Sequence, residues 1–356
     1  MSTNKSIESI GLELDASHLA AQSHDNGEEI TATTSSLTSS STATSSTQSA
    51  YDIYVWPENM RFAGGDDDFT ILSILSGAHS LGGGIFGFLN MKDSNKLRVQ
   101  CVECRKAVRD FPWMDDESQI TGSVKVWRAA FPYAQAVNIS NRNDIVAADF
   151  VHIRGDARVR RMHTVLMPNC CSVTDAALAH LHGIHTLDMS GCRKITDAAF
   201  VHLRGIHTLD ITGCIFLTDA AFAHLRGIHT LYMLYIYQRM ITDAAFVHLR
   251  GIHKLDMSYC GSPITDAAFV HLRGIHTLNL SYCRQLPITD AVFVHLRGIH
   301  TLNITGCHQP TITGVAFWQL CGIHTLLTFR CSPATVDAAN IFRADPYAFR
   351  RRIWQF

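Results

Sequence analysis

The sequence predicts an α/β solenoid, with parallel strands on a concave face, short helices on a convex face and a small all-α module amino-terminal to it. Three observations carry this expectation. A threonine recurs at Thr174, Thr196, Thr218, Thr242, Thr265, Thr289 and Thr313, in steps of 22–24 residues. A leucine at Leu187, Leu209, Leu231, Leu255, Leu278, Leu302 and Leu326 drifts through the same steps, so two anchors share one structural period. Within each period, hydrophobic residues first alternate at spacing two and then recur at helical spacing.

One repeat shows why. In His207–Thr212, Leu209 and Ile211 alternate with Thr208, Asp210 and Thr212, the signature of a short strand with one buried face. Thr196–Leu203 reads as a short helix, with Thr196 as cap and Asp197 in its first turn. Ala199 and Leu203 face inward, and Arg204 with Gly205 closes the helix. An acid at each helix start and an arginine at each end suit the helix dipole. Leu203-x-x-Ile206-x-x-Leu209-x-Ile211-x-x-Cys214-x-x-Leu217 fits the leucine-rich-repeat template. A weaker unit precedes it at Val137–Ser140 and Asp144–Gly155. The solenoid is therefore expected over 137–343, after a connector and cap at 116–136 and before a closing cap or tail at 344–356.

Two residue types form columns. Cys170, Cys192, Cys214, Cys260, Cys283, Cys307 and Cys331 occupy an inward position, where a small thiol packs without needing a chemical role. With one cysteine per repeat, a clustered zinc site is not expected. Histidines line the helices at His180, His202, His224, His248, His271 and His295. A second set precedes each strand at His185, His207, His229, His253, His276, His300 and His324. Strands stack ~4.8 Å apart, so this second set should form a ladder. Protonated neighbours at that distance repel, which predicts folding that weakens below the ordinary histidine value near ~6.5.

The amino-terminal part differs in kind. Residues 31–49 are serine and threonine interrupted only by Ala32, Leu37, Ala43 and Gln48, too little apolar surface to order. Residues 1–50 are expected to be a disordered arm, followed by a linker at 51–68 and a helical module at 69–115. The segment 69–91 carries no formal charge, but glycine, serine and His79 interrupt it, so buried helices are favoured over a membrane span. No basic region followed by an apolar stretch opens the chain, so no signal peptide is read, and the unpaired cysteines fit a cytoplasmic address, with the nucleus also open.

The threonine–aspartate helix start, the cysteine after the strand and the run of at least seven units resemble the cysteine-containing leucine-rich repeats of F-box proteins. Upstream, Ile85, Phe86, Leu89, Asp93, Leu97 and Cys101 stand at intervals similar to the second half of an F-box. Gly77-Ala78 replace that family's usual Leu-Pro, and Cys104 replaces a Trp. The wording of the repeats also resembles proteins encoded by large amoeba-infecting DNA viruses. The resemblance implies a substrate-recognition adaptor of a cullin-type ubiquitin ligase. Those six residues would contact the adaptor subunit beside the cullin scaffold, and the repeats would hold an unknown target protein.

For function, composition excludes more than it assigns. Lys plus Arg number 30 against 31 Asp plus Glu, a net charge of −1, which argues against a general nucleic-acid binder. No phosphate loop, zincin pair or nucleophile elbow is present, so no enzyme, cofactor or metal is expected. The target site is expected where the repeats break their own consensus, at Tyr232, Leu234, Tyr235 and Tyr237, with Lys254, Asp256, Tyr259 and Tyr282 nearby. Tyrosine-rich patches with a few charges are characteristic of interface hot spots. Two alternatives stand beside the ligase reading: a plain interaction scaffold, and a membrane-tethered receptor anchored through 69–91.

Overall fold

The computed structural model describes residues 89–98, 102–154, 162–235, 240–261 and 263–345. Nine three-residue strands form one parallel sheet in strict chain order. They are β1 (Ala136–Asn138), β2 (Thr164–Leu166), β3 (Thr186–Asp188), β4 (Thr208–Asp210), β5 (Thr230–Tyr232), β6 (Lys254–Asp256), β7 (Thr277–Asn279), β8 (Thr301–Asn303) and β9 (Thr325–Leu327). The register is one repeat per rung: Leu187 pairs with Leu209, Leu209 with Leu231 and Leu231 with Leu255. The sequence-anchored leucines thus form one buried column, and the expected leucine-rich-repeat solenoid is the observed fold.

Helical turns return the chain between strands, some α and some 3-10, such as Asp197–Leu203 and Asp219–Phe222. The buried residues of Asp197–Leu203 are Ala199, Phe200 and Leu203, one more than the inward pair expected. Phe200 turns to the core here as Phe222, Phe246 and Phe269 do in α-helical turns, so the inward position belongs to both helix types. Phe150, Phe200, Phe222, Phe246, Phe269, Phe293 and Phe317 are all fully buried, a second column parallel to the leucines.

The helix-start acids act differently from the local dipole role expected of them. Asp219 Oδ1 accepts the Thr242 amide at 2.7 Å and its Oδ2 accepts the Thr242 hydroxyl at 2.6 Å. Thr242 Oγ1 in turn accepts from the Ala244 amide at 3.2 Å. The same clasp joins Asp175 to Thr196, Asp197 to Thr218, Asp243 to Thr265, Asp266 to Thr289 and Asp290 to Thr313. A one-turn helix has little macrodipole to complement, whereas a carboxylate can bridge the gap between repeats. Asp219→Ala strips Thr242 of both partners and is expected to cost about 2 kcal/mol in urea unfolding, against a few tenths at an exposed acid such as Asp337.

The cysteine column is also inter-repeat. Cys192 Sγ donates to the Met167 carbonyl at 3.2 Å, Cys214 to Met189 at 3.2 Å and Cys283 to Met257 at 2.9 Å. Burial pushes the Cys192 thiol up to about 12 and those of Cys214 and Cys283 higher still, so they stay protonated donors.

Both ends of the hydrophobic column are covered. At the front, helices α1 (Met91–Leu97), α2 (Val102–Asp110) and α3 (Val124–Ala130) contribute Met91, Val108, Val124 and Trp127 to the core. Trp113 packs edge-on to Phe131 at 6.2 Å between centroids and donates to the Val108 carbonyl at 2.8 Å. At the far end, helix α4 (Pro333–Ala344) is capped by Ser332 and buries Ala338, Ala339 and Phe342.

Candidate functional site

The carboxy-terminal ends of the strands turn sharply, and each turn needs one residue with positive φ. Glycine fills that position at Gly191, Gly213 and Gly306, and asparagine at Asn141 and Asn169. Three consecutive repeats place Tyr235, Tyr259 and Tyr282 there, with φ of 56°, 57° and 58°. A bulky side chain pays roughly 1–2 kcal/mol for this conformation. The rings compensate in part by stacking, at 4.9 Å for Tyr235–Tyr259 and 4.7 Å for Tyr259–Tyr282. An aromatic pair contributes about 0.5–1.5 kcal/mol. Two pairs recover about 1–3 of the roughly 3–6 kcal/mol that three strained residues cost, so the ladder is at best neutral for folding. Its far end rests on Gly306, where a Cβ would lie 2.6 Å from the Tyr282 ring.

The adjoining strand face supplies the polar part. Tyr232 sits in register between Asp210 and Asp256. Lys254 Nζ donates to the Tyr232 hydroxyl at 2.9 Å and lies 4.9 Å from the ring centre, which fixes the phenol. Asp256 accepts from the Ser258 amide and hydroxyl and from Asn279 Nδ2 at 2.9 Å. Asp210 is held above the usual carboxylate range, first by burial and then by the charges of Asp188 and Asp256. Its ionised form is thus a cost of the folded state that a cationic partner group would relieve.

The structure brings Tyr232, Leu234, Tyr235, Lys254, Asp256, Tyr259 and Tyr282 together across rungs β5 to β7; Tyr237 lies outside the described residues. Tyr232 and Leu234 are both half-buried, and the Leu234 amide donates to Thr212 Oγ1 at 3.3 Å. Sequence reasoning missed the apolar exposure alongside, at Ile215 (38%), Phe216 (59%) and Met240 (57%). The signal was available, because Ile215-Phe216 stand where the preceding repeat has Arg193-Lys194.

Of the F-box-like residues, Ile85, Phe86 and Cys101 lie outside the described residues. Leu89, two residues before α1, and Leu97, its last residue, pack half-buried against the same core as the solenoid. Asp93 sits in the first turn of α1, where its amide donates to the Asn90 cap and its carboxylate pairs with Lys96 at 3.3 Å. Among the described residues no group of three His, Cys, Asp or Glu is placed to hold a metal ion, and no helix is long and apolar enough to cross a membrane.

No family model matches the sequence, and no curated protein is significantly similar to it. Solved structures of similar fold include TLR13 in complex with ssRNA13, at 16% identity and a TM-score of 0.43, covering 57% of this chain and 33% of that one. Yeast Rad7 in complex with Elc1 is 15% identical, with a TM-score of 0.35 and coverages of 55% and 62%. Human 5T4 is 15% identical, with a TM-score of 0.37 and coverages of 60% and 77%. The chain spans about a third of the TLR13 chain it aligns with.

Proposed function

We propose that the chain is a non-enzymatic binding scaffold that captures a target protein on the surface formed by the tyrosine ladder and the Tyr232–Lys254–Asp256 strand face. The observation that carries this reading is the ladder itself: three adjacent repeats accept a strained backbone to present stacked rings, with almost no gain in stability. Strain kept without a folding benefit points to a binding role. The acidic strand face and the rings favour a target segment with arginine or lysine beside apolar residues.

Within this reading the amino-terminal helices recruit a ubiquitin-ligase adaptor and, through it, the cullin. The scaffold then acts by proximity, raising the target's local concentration near the ligase that does the chemistry. The half-buried state of Leu89 and Leu97 favours the second reading, a scaffold without ligase association, because side chains used in the core are less available to a partner. The membrane-tethered alternative rests on 69–91, of which only 89–91 are described.

Affinity purification with mass spectrometry separates these readings. Replacing Tyr235, Tyr259 and Tyr282 with glycine is expected to weaken target capture at least ~30-fold, a hot-spot loss of about 2 kcal/mol or more. The same variant should lose no more than about 1 kcal/mol of stability, since the strain it relieves at least matches the stacking it loses. Unchanged capture would defeat the target site. Co-purifying adaptor and cullin, lost on Leu89→Asp with the melting temperature retained, would support the ligase role; their absence from the wild-type sample would leave the plain scaffold.

A further inference from the structure

The strand ends opposite the tyrosine ladder carry a different surface. There each helix gives way to the next strand through a loop of the form Arg-Gly-Ile-His, beginning at Arg204, Arg226, Arg250, Arg273 and Arg297. All five arginines are exposed. Each is nevertheless held in place by the following repeat. Arg204, Arg226 and Arg250 donate through Nε to Nδ1 of His224, His248 and His271 at 3.3 Å. Arg273 reaches His295 Nδ1 at 3.4 Å, and Arg297 donates to Gln319 Oε1 at 2.6 Å. A histidine accepting at Nδ1 is neutral. In keeping with that, burial first and the neighbouring guanidinium second hold His248 and His295 below the ordinary histidine value.

Among the described residues none of these arginines forms a salt bridge with a carboxylate. The five loops contain no Asp or Glu. The carboxylates of the helix starts, Asp219 and Asp266 among them, accept from the threonine clasps and not from the arginines, although their charge still reaches His248 and His295. The result is a row of guanidinium groups, one per rung and pre-positioned, that make no further hydrogen bond to a described residue; Arg297 also lies 5.8 Å from the centre of the Trp318 ring. The net charge of −1 is a sum over all 356 residues and does not exclude a local row of one sign.

We propose that this arginine row binds an extended phosphate chain. The guanidinium fork matches phosphate oxygens in a two-point contact. Near-identical loops offer no side-chain discrimination, so they suit a polymer of uniform charge better than a peptide of defined sequence. The backbone of a single-stranded nucleic acid and inorganic polyphosphate share this chemistry. The proposal does not depend on the target site at the tyrosine ladder.

The test uses the full chain at pH 7.5, with fluorescence anisotropy of a labelled 15-nucleotide oligo-uridine and unlabelled long-chain polyphosphate as competitor. Binding is expected to weaken with salt at a log–log slope of up to about −3.5, from roughly 0.7 per phosphate contact across five arginines. Changing Arg226, Arg250 and Arg273 to glutamine should weaken binding at least tenfold with an unchanged melting temperature, and Arg250→Gln alone should reduce the slope by about 0.7. Competition by polyphosphate supports recognition of the phosphate chain alone; binding of oligo-uridine without competition supports the nucleic-acid backbone as the source. The proposal is overturned if neither probe binds at 50 mM salt, if the triple variant binds as the wild type does, or if poly-glutamate competes as well as polyphosphate.

Discussion

Arg128→Met is expected to loosen the front of the solenoid by roughly 3 kcal/mol or more. Arg128, on α3, threads its guanidinium between the helical cap and the first repeat. It donates to the carbonyls of Pro132 at 3.2 Å, Ala134 at 2.9 Å and His152 at 3.1 Å, and also to that of Ile153. Its carbon stem lies by Trp127, with the guanidinium 4.8 Å from that ring. Burial lowers its pKa to about 10, so it remains charged at neutral pH. Methionine would fill the space but leave several shielded carbonyls without a donor, each costing about 1–3 kcal/mol less whatever water recovers. At about 2–4 °C per kcal/mol for a domain of this size, the melting temperature should fall by ~6–12 °C. Nearest-neighbour stacking confines the damage, so amide exchange should accelerate around β1 and β2 and hardly at β8. A uniform acceleration along the solenoid would show that the cap does not act locally. Arg128→Lys, with one ammonium for several carbonyls, should fall between the two.

Acid is expected to have the other large effect. The pre-strand histidines stack as a continuous ladder from His163 to His324, one rung longer than the sequence suggested, with centroids 4.3–4.5 Å apart and rings within 18° of parallel. Each ring nitrogen Nδ1 is held by the hydroxyl of the next residue where that is threonine, as in His207–Thr208 at 3.1 Å. His185 is held below the ordinary value by burial and then by His163, and His300 by burial and then by His276 and His324. In the helix column His202 is lowered in the same order of causes, by burial and then His182. These groups bind protons less readily folded than unfolded. Their contribution is therefore complete above ~6.5 and is lost as pH falls through the lowered folded values. Asp210, raised from its ordinary value, has the opposite sign, and its contribution grows as pH falls. The melting temperature should drop by about 5 °C or more between pH 7.5 and 5.5, more steeply at low salt. Replacing alternate rungs, His207, His253 and His300, with asparagine should flatten the dependence; a wild-type curve that is already flat would contradict the charged ladder.

These two cases show what the chain discloses before it folds. A period of 22–24 residues reveals every column, so the strand leucines, the inward cysteines and the histidine ladder were legible one repeat at a time. Partners across the gap between repeats were not. Thr242 reads as a helix cap and Asp219 as a first-turn acid, and only stacking shows that they hold each other. Arg128 belongs to no repeat and has no pattern to announce it, because its partners are backbone carbonyls. The tyrosines were visible as a departure from consensus, but their positive φ was not, since it depends on where the turn falls. Ile215 and Phe216 stand in the turn after the strand, outside the alternating pattern that marks its exposed face.

Docking of a target protein across rungs β5 to β7, as proposed, would shield amides at the carboxy-terminal strand ends. Amide hydrogen exchange of the full chain, with and without its purified target, reads that shielding. Slowed exchange is predicted over Tyr232–Tyr235, Asp256–Tyr259 and Asn279–Tyr282. Slowing confined to the helix side or to the Arg-Gly-Ile-His loops would contradict it.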